Sequence, residues 1–364
     1  MRWSWQIARV AGIPVRVHAT FFLLIVFLFG TRVAQGQSLA RATEGLALIL
    51  AVFACVVLHE FGHALTARRY GVRTRDITLL PIGGLARLER IPEKPSQEIA
   101  VALAGPAVNV VIAGILYAWL TAGAALEGRN LTRDMLASFP VQLLAINVFL
   151  AIFNLIPAFP MDGGRVLRAL LATRLEYTRA TQIAANVGQG IAFLFGVLGL
   201  FGNPMLLFIA LFVFIGAGQE AAAVQLRSAF EGVPVSRAMV RDFRALRADE
   251  PLSRAVELLL QGSQQDFPVL PETAGPGIAI LSRKDLLTAL ASGQTDRRVG
   301  EVARDACGEA HPREMLEAVF QRMQESGCQA VPVVEGGTLV GLLTLENVGE
   351  LAMVQAALQR ARAH

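Results

Sequence analysis

Lysine is nearly missing from this chain: Lys94 and Lys284 are the only lysines among 33 basic residues, so the net charge of +4 rests on arginine. The arginines cluster beside apolar segments. That suits a membrane boundary rather than a nucleic-acid face, and nucleic acid is excluded as a partner on that ground. Cysteine is scarce too. Cys55, Cys307 and Cys328 form no paired spacing and no zinc knuckle, and the last two point to a reducing compartment. Cys55 stands four residues before His59, on the same helical face, as a small packing residue. Charge overall is thin at 17%, against 54% hydrophobic residues and a mean hydropathy of +0.50, which excludes an ordinary soluble protein. A cleavable leader is not expected: Met1 to Val17 carries Trp and Arg, is not apolar enough, and no small-x-small site closely follows Phe29. Trp3 and Trp5 with Arg2 and Arg9 read as an interfacial anchor.

The apolar residues are unevenly spread. Residues 1–222 hold long uncharged runs, whereas 230–364 is charged throughout. A bilayer core of about 30 Å needs about 20 apolar residues in a helix. The segments that qualify, some of them short, are about His18–Val33, Gly45–Ala67, Ile99–Ala122, Pro140–Ile156, Thr181–Leu200 and Pro204–Ala222. Gly202-Asn203-Pro204 makes the last two a tight hairpin. Arg2, Arg9 and Arg16, then Arg68, Arg69, Arg73, Arg75, Arg87 and Arg90, then Arg165, Arg168, Arg174 and Arg179 fall on one side, against Arg32, Arg41, Arg129 and Arg133 on the other. The positive-inside rule then predicts a multi-pass protein of the cell membrane with both termini in the cytoplasm. The expected fold is a polytopic α-helical membrane domain of six spans over 1–222, a linker over 223–232, a soluble α/β pair over 233–355 and a tail over 356–364.

The second apolar segment ends in His59-Glu60-Phe61-Gly62-His63. Four residues apart on a helix, His59 and His63 offer two imidazoles to one metal ion, and Glu60 stands beside the first ligand as a general base. The competing reading is a chance pentapeptide whose histidines bond a neighbouring helix. Against it, three ionisable groups in an apolar helix are costly unless they face a polar cavity or a metal. His18, alone at a membrane interface, is left out of the ligand set.

Partners for this motif lie downstream. Asp76 to Leu88 is apolar, carries Thr and Ile at strand spacing and is broken by Pro81-Ile82-Gly83-Gly84, so it reads as an extended hairpin able to pair with a substrate strand, or as a plain surface turn. Asn109, in Gly105-Pro106-Ala107-Val108-Asn109, either glues helices together or walls a polar site. The fourth segment ends in Asn154-Leu155-Ile156-Pro157-Ala158-Phe159-Pro160-Met161-Asp162-Gly163-Gly164. Asp162 is either a cap for the next helix or, at the depth of His59 and His63, the third protein ligand of a zinc ion whose fourth position stays open. Asn154 can donate a hydrogen bond to a substrate carbonyl or oxyanion.

Together, His59-Glu60-x-x-His63, Gly105-Pro106-x-x-Asn109 and Asn154-x-x-Pro157-x-x-Pro160-x-Asp162-Gly163 resemble the motifs of the site-2 protease family of intramembrane zinc metalloproteases, in its prokaryotic branch with C-terminal CBS domains. The resemblance covers almost the whole chain. It implies one Zn2+ on His59, His63 and Asp162, Glu60 as catalytic base, and Asn154 as a catalytic residue that helps hold substrate. It also implies a membrane-associated β-loop at Gly83 and Gly84, and a single-span membrane protein as substrate, cut within the bilayer near the cytoplasmic side.

From Val233 an imperfect repeat of about 60 residues appears, over about 233–291 and 297–355, each copy read as helix, strand, turn, strand, helix. One copy cannot bury its apolar strands, so the two are expected to pack about a pseudo-twofold. This resembles a tandem CBS pair, with Glu272 to Gly277 replacing the tighter turn at Glu335, and a homodimer through these domains is open. Ser282 with Asp285, and Thr344 with Asn347, each open a helix after an apolar strand. They are either N-caps or, as in nucleotide-binding CBS pairs, the phosphate and ribose contacts of an adenine nucleotide. Two alternatives to a protease stand: a CBS-gated membrane metal transporter, and a catalytically inactive regulatory membrane protein.

Overall fold

A computed structural model of the chain describes residues 3–81, 83–88, 94–126, 138–271, 277–294 and 296–362. Arg2, Arg90, Arg129 and Arg133, counted above in orienting the spans, and the turn from Glu272 lie outside the described residues. The chain divides into two compact units, Met1–Ala222 and Ala223–His364.

In the first unit, β1 (Ser4–Val10) and β2 (Ile13–His18) form a hairpin through Ala11 and Gly12, whose φ angles of 51° and 83° suit the tight turns that match strand twist. After α1 (Ala19–Ala34) and α2 (Leu39–Arg69) come β3 (Thr74–Leu80) and β4 (Gly83–Leu88). The sheet order is β1-β2-β3-β4, with β2 and β3 parallel and β3 and β4 an antiparallel hairpin from Leu80↔Gly83 to Thr74↔Leu88. So the segment at Asp76 to Leu88 is extended. Ile13, Val15 and Ile77 pack on Phe61 and Ala64 of α2, which fixes the sheet beside the two histidines. Trp3 and Trp5 stay exposed at 67% and 56%. Beneath the sheet, Asp76 is held below the usual carboxylate range: its burial works against the charge, and Arg87, Thr78 and Arg16 outweigh it.

The remaining elements are α3 (Pro95–Leu126), α4 (Phe139–Asn154), α5 (Asp162–Ala172), α6 (Tyr177–Phe201) and α7 (Met205–Phe230). Among the described residues, four helices are long and apolar enough to cross a membrane: α2, α3, α6 and α7. The other two of the six expected segments, α1 and α4, are shorter apolar helices. Helices α1 and α4 have 16 residues each, about 24 Å at 1.5 Å per residue, short of a hydrocarbon core of about 30 Å. His18 caps α1, accepting from the Thr20 amide, and the chain turns away at Gln35 and Gly36; α4 starts after Ser138 and stops before Pro157.

Arg168 on α5, counted above in orienting the spans, is wholly buried. Its Nε and Nη2 donate to Glu98 Oε1 of α3 at 2.8 and 2.5 Å, and its Nη1 donates to Glu220 Oε1 of α7 at 2.7 Å. The guanidinium also lies 5.1 Å from the Phe159 ring centre and 4.9 Å from that of Tyr177. One residue thus ties three helices together, with Arg168 and Glu98 shut off from water and Glu220 partly exposed.

The second unit begins inside α7. The stretch expected as a linker is helical through Phe230, and Ala229 and Phe230 are buried in a core with Val233, Val235, Leu316 and Val333. Then follow β5 (Leu246–Arg247), α8 (Leu252–Gln261), β6 (Asp266–Leu270), β7 (Ala279–Ser282) and α9 (Arg283–Ala291), and next α10 (Val299–Val302), β8 (Arg304–Asp305), α11 (Leu316–Ser326), β9 (Ala330–Glu335), β10 (Thr338–Thr344) and α12 (Leu345–Arg362). The run α8-β6-β7-α9 recurs as α11-β9-β10-α12. Each copy lends a strand to the other: Val240 bridges to Leu342, and Arg304 of β8 pairs with Ile280. The reading of Cys307 and Cys328 as unpaired is corrected. They form a disulfide, Cα atoms 6.4 Å apart, across 21 residues of chain; long-range pairing of this kind leaves no spacing signature.

Removing one partner of a buried ion pair costs about 3–5 kcal/mol. Arg168→Met is therefore expected to lower the thermal unfolding midpoint in detergent, and adding Glu98→Gln and Glu220→Gln should restore much of the loss. Unchanged melting of Arg168→Met would refute this account of the clamp.

Candidate metal centre

The site is built by close approach of two helices. A Cβ on Gly62 of α2 would lie 2.6 Å from the Ala104 carbonyl oxygen of α3, so the absence of side chains lets the backbones meet. His59 and His63 are buried on this face. His63 Nδ1 lies 2.7 Å from the Val101 carbonyl oxygen, which can only accept, so Nδ1 carries a proton and, in the neutral ring, Nε2 is a bare lone pair. His59 Nδ1 is 2.5 Å from Asn109 Oδ1 and donates to it. Orienting contacts of this kind are what a metal-binding imidazole needs on its far side.

Asp162 arrives from the other direction, as the first residue of α5. Its placement depends on two glycines: a Cβ on Gly163 would stand 2.3 Å from the Ile156 carbonyl oxygen, and one on Gly164 2.6 Å from the Phe159 nitrogen. Only Gly lets the loop after α4 fold over the start of α5 and aim the carboxylate back.

The three side chains converge. The two Nε2 atoms are 3.1 Å apart, and each is 3.2 Å from Asp162 Oδ2. Buried as it is, Asp162 Oδ2 takes no hydrogen bond. Three lone pairs facing one another in an apolar surrounding repel unless a cation lies among them. Their separations are close to the edge of about 3.3 Å expected for a tetrahedron with bonds of about 2.0–2.1 Å, the zinc–nitrogen and zinc–oxygen range. Gly105 completes the cradle, since a Cβ there would sit 2.2 Å from His63 Nε2 and 2.6 Å from His59 Nε2. Among the described residues this is the one group of three or more His, Cys, Asp or Glu side chains placed to share an ion.

Glu60, next to His59, is half-buried and its Oε2 accepts from the Ala86 amide of β4 at 3.1 Å. Gly84 lies over it: a Cβ there would be 2.7 Å from Glu60 Cγ. Gly83 opens the strand with φ 137°, a conformation other residues rarely adopt. Asn154 is the last residue of α4, and its amide donates to the Leu150 carbonyl at 3.0 Å, one turn back on its own helix. Asn109 does more than glue helices, since it touches His59. The residue missed from sequence is Asn147 on α4, fully buried and bonded to Asn109. A lone Asn in an apolar run has no spacing partner to give it away.

In the second unit, Ser282 Oγ accepts from the Asp285 amide at 3.1 Å and donates to its carboxylate at 2.6 Å, and Thr344 makes the same pair with Asn347. These are N-caps. Asp285 is also engaged by Arg304 at 2.6 Å. A cavity of about 730 Å³ opens beside Ser282, with Gln265, Asp266, Arg283, Lys284 and Gln329 on its wall. Burial, then Glu346 and Asp285 nearby, push the Asp266 carboxyl above its usual range.

Gly105→Ala should leave a folded protein unable to hold metal, because the added methyl occupies the ion's place. Metal analysis of the purified variant, beside His59→Ala, His63→Ala and Asp162→Ala, is expected to show less than a tenth of the wild-type content of about one ion per chain. Full occupancy in Asp162→Ala would remove it from the ligand set.

A profile of peptidase family M50 matches residues 47–139 and 125–195, and a CBS domain profile matches 299–350. A zinc metalloprotease of Methanocaldococcus jannaschii is 30% identical over 356 residues, covering 96% of this chain and 96% of that protein. Stage IV sporulation protein FB of Bacillus subtilis is 26% identical over 203 residues, 55% of this chain and 64% of that protein. Among solved structures, a site-2 protease from Methanocaldococcus jannaschii matches 60% of this chain and 95% of its own, with 35% identity and a TM-score of 0.45.

Proposed function

Since this chain belongs to peptidase family M50, the site-2 protease family of zinc metalloproteases, we propose that it hydrolyses a peptide bond within a transmembrane segment of a single-span membrane protein, near the cytoplasmic face of the bilayer. One observation carries the reading: two imidazole lone pairs and a carboxylate converge on one point inside apolar helices, with Glu60 alongside them. His59, His63 and Asp162 would hold zinc, which would supply Lewis acidity toward the scissile carbonyl and the attacking water. Glu60 takes the proton from the attacking water and passes it to the leaving amine. Asn154, released from the Leu150 carbonyl, donates to the substrate carbonyl as it becomes an oxyanion.

Strand β4 is one of the sheet's two edges, the other being β1. Because Ala86 gives its amide to Glu60 and not to β3, alternation along the strand turns the backbone groups of Gly84 to the same outer side. A substrate segment unwound from its helix pairs there as an added strand. A substrate carbonyl that accepts the Ala86 amide frees Glu60 for catalysis, so binding and activation of the base are one event.

The rest of the reading follows the same division: a multi-pass membrane protease domain over 1–222 with both termini cytoplasmic, and a tandem CBS pair over 233–355 that can dimerise. The cavity beside Ser282 takes an adenine nucleotide, its phosphates near Arg283 and Lys284. Such a ligand shifts activity only by its difference in affinity for the two activity states.

Glu60→Gln should bind zinc as wild type does and lose at least about 100-fold in cleavage of a single-span reporter, the range of general-base loss. Gly84→Pro should keep its metal and cleave poorly, for want of an edge amide. Reporter cleavage by Glu60→Gln at the wild-type rate would remove Glu60 as the base, and normal cleavage by Gly84→Pro would show that substrate does not pair with β4. For the soluble pair, titration of the full chain in nanodiscs with ATP, ADP and AMP should show binding weakened by Arg283→Ala with Lys284→Ala and by Asp285→Ala. No binding at millimolar ligand would leave this unit a dimerisation or docking module.

A further inference from the structure

Asn147 carries an inference that rests on the metal centre proposed above. It is fully buried on α4, 38 residues along the chain from Asn109, and the chemistry just described makes no use of it. Its role follows from hydrogen-bond polarity alone. The Leu143 carbonyl oxygen can only accept, and it lies 2.9 Å from Asn147 Nδ2. That end of the side chain is therefore the amine, which also reaches Cys55 Sγ of α2 at 3.4 Å. Asn147 must then present its oxygen to Asn109, and the Asn109 atom facing it at 2.9 Å must be nitrogen. Asn109 is left with its oxygen toward His59 Nδ1, at 2.5 Å. Since that oxygen only accepts, the His59 proton is on Nδ1 and the lone pair on Nε2, the atom that faces Asp162.

We propose that Asn147 is a positioning residue for the metal centre: it fixes which way the Asn109 amide points and so holds His59 in the tautomer that binds metal. The comparison with His63 shows why one histidine needs this device. His63 donates to a main-chain carbonyl, Val101, which cannot turn round. An amide can. Turned by half a rotation, Asn109 would offer an N–H to Nδ1, move the ring proton to Nε2 and close the ligand position. The circuit ends where it began, because Cys55 stands one turn before His59 on α2; three helices are registered by one chain of donors and acceptors.

The test uses the full chain in detergent, with zinc affinity measured by competition against a chelator and the unfolding midpoint of the metal-free protein measured beside it. Asn147→Leu is expected to weaken zinc binding by about 10- to 100-fold, the usual effect of losing an outer partner of a ligating histidine. Asn109→Asp supplies an acceptor with no wrong side, since both carboxylate oxygens accept. In that background Asn147→Leu should cost less than about 3-fold, a coupling read from the double-mutant cycle. A packing role predicts the same loss in both backgrounds, and lowers the unfolding midpoint in both. Should Asn147→Leu not fold, Asn147→Ala gives the same comparison. Equal losses with and without Asn109→Asp, or zinc affinity within about 2-fold of wild type in the single variant, overturn the proposal. Wild-type protein that binds no zinc overturns the metal centre itself.

Discussion

Three lone pairs within about 3.2 Å of one another, buried among apolar helices, are tolerable only around a cation, and the membrane unit is arranged to hold them there. Two of them need α2 and α3 to touch, hence Gly62 and Gly105 at the contact. The third needs a chain reversal after α4, hence Gly163 and Gly164 where any side chain would strike the preceding backbone. The carboxylate's helix then has to be fixed, and Arg168 does so by binding Glu98 of α3 and Glu220 of α7. These four glycines and the Arg168 ion pairs all serve the geometry of the same cluster.

The ligands were legible because their signal is local. His59 and His63 declare themselves by a four-residue spacing, and Asp162 by a carboxylate set among Pro and Gly at the end of an apolar run. Gly105 and Asn109 could be singled out for small size and for polarity, though not for what they touch. Asn147 and Glu98 could not be singled out, because each acquires its partner only when separate helices pack. The burial of Arg168 was not legible for a related reason: the two carboxylates and two aromatic rings that enclose it come from separate parts of the chain.

Fold-level expectations divide along the same line. Apolar runs located all six helices, and the two short runs, bounded by His18 and by Pro157, are short helices in the fold. The hairpin at β3 and β4 was readable from Pro-Ile-Gly-Gly. Its union with β1 and β2 was not, since parallel pairing between distant strands leaves no periodicity. The stretch after Ala222, expected as a linker, is helical, since α7 continues through it to Phe230. Cys307 and Cys328 meet for reasons of tertiary packing alone.

The two sides of the metal centre differ in mechanical standing. His59 and His63 sit deep within a helix of 31 residues, whereas Asp162 is the first residue of a helix of 11, which follows a loop carrying three backbone turns in a row. Local opening starts in short elements and at their ends. The two histidines therefore lie on the better protected side of the cluster, and Asp162 on the side closer to a helix end. Arg168, six residues further along α5, ties that short helix to α3 and α7 and so opposes its local opening.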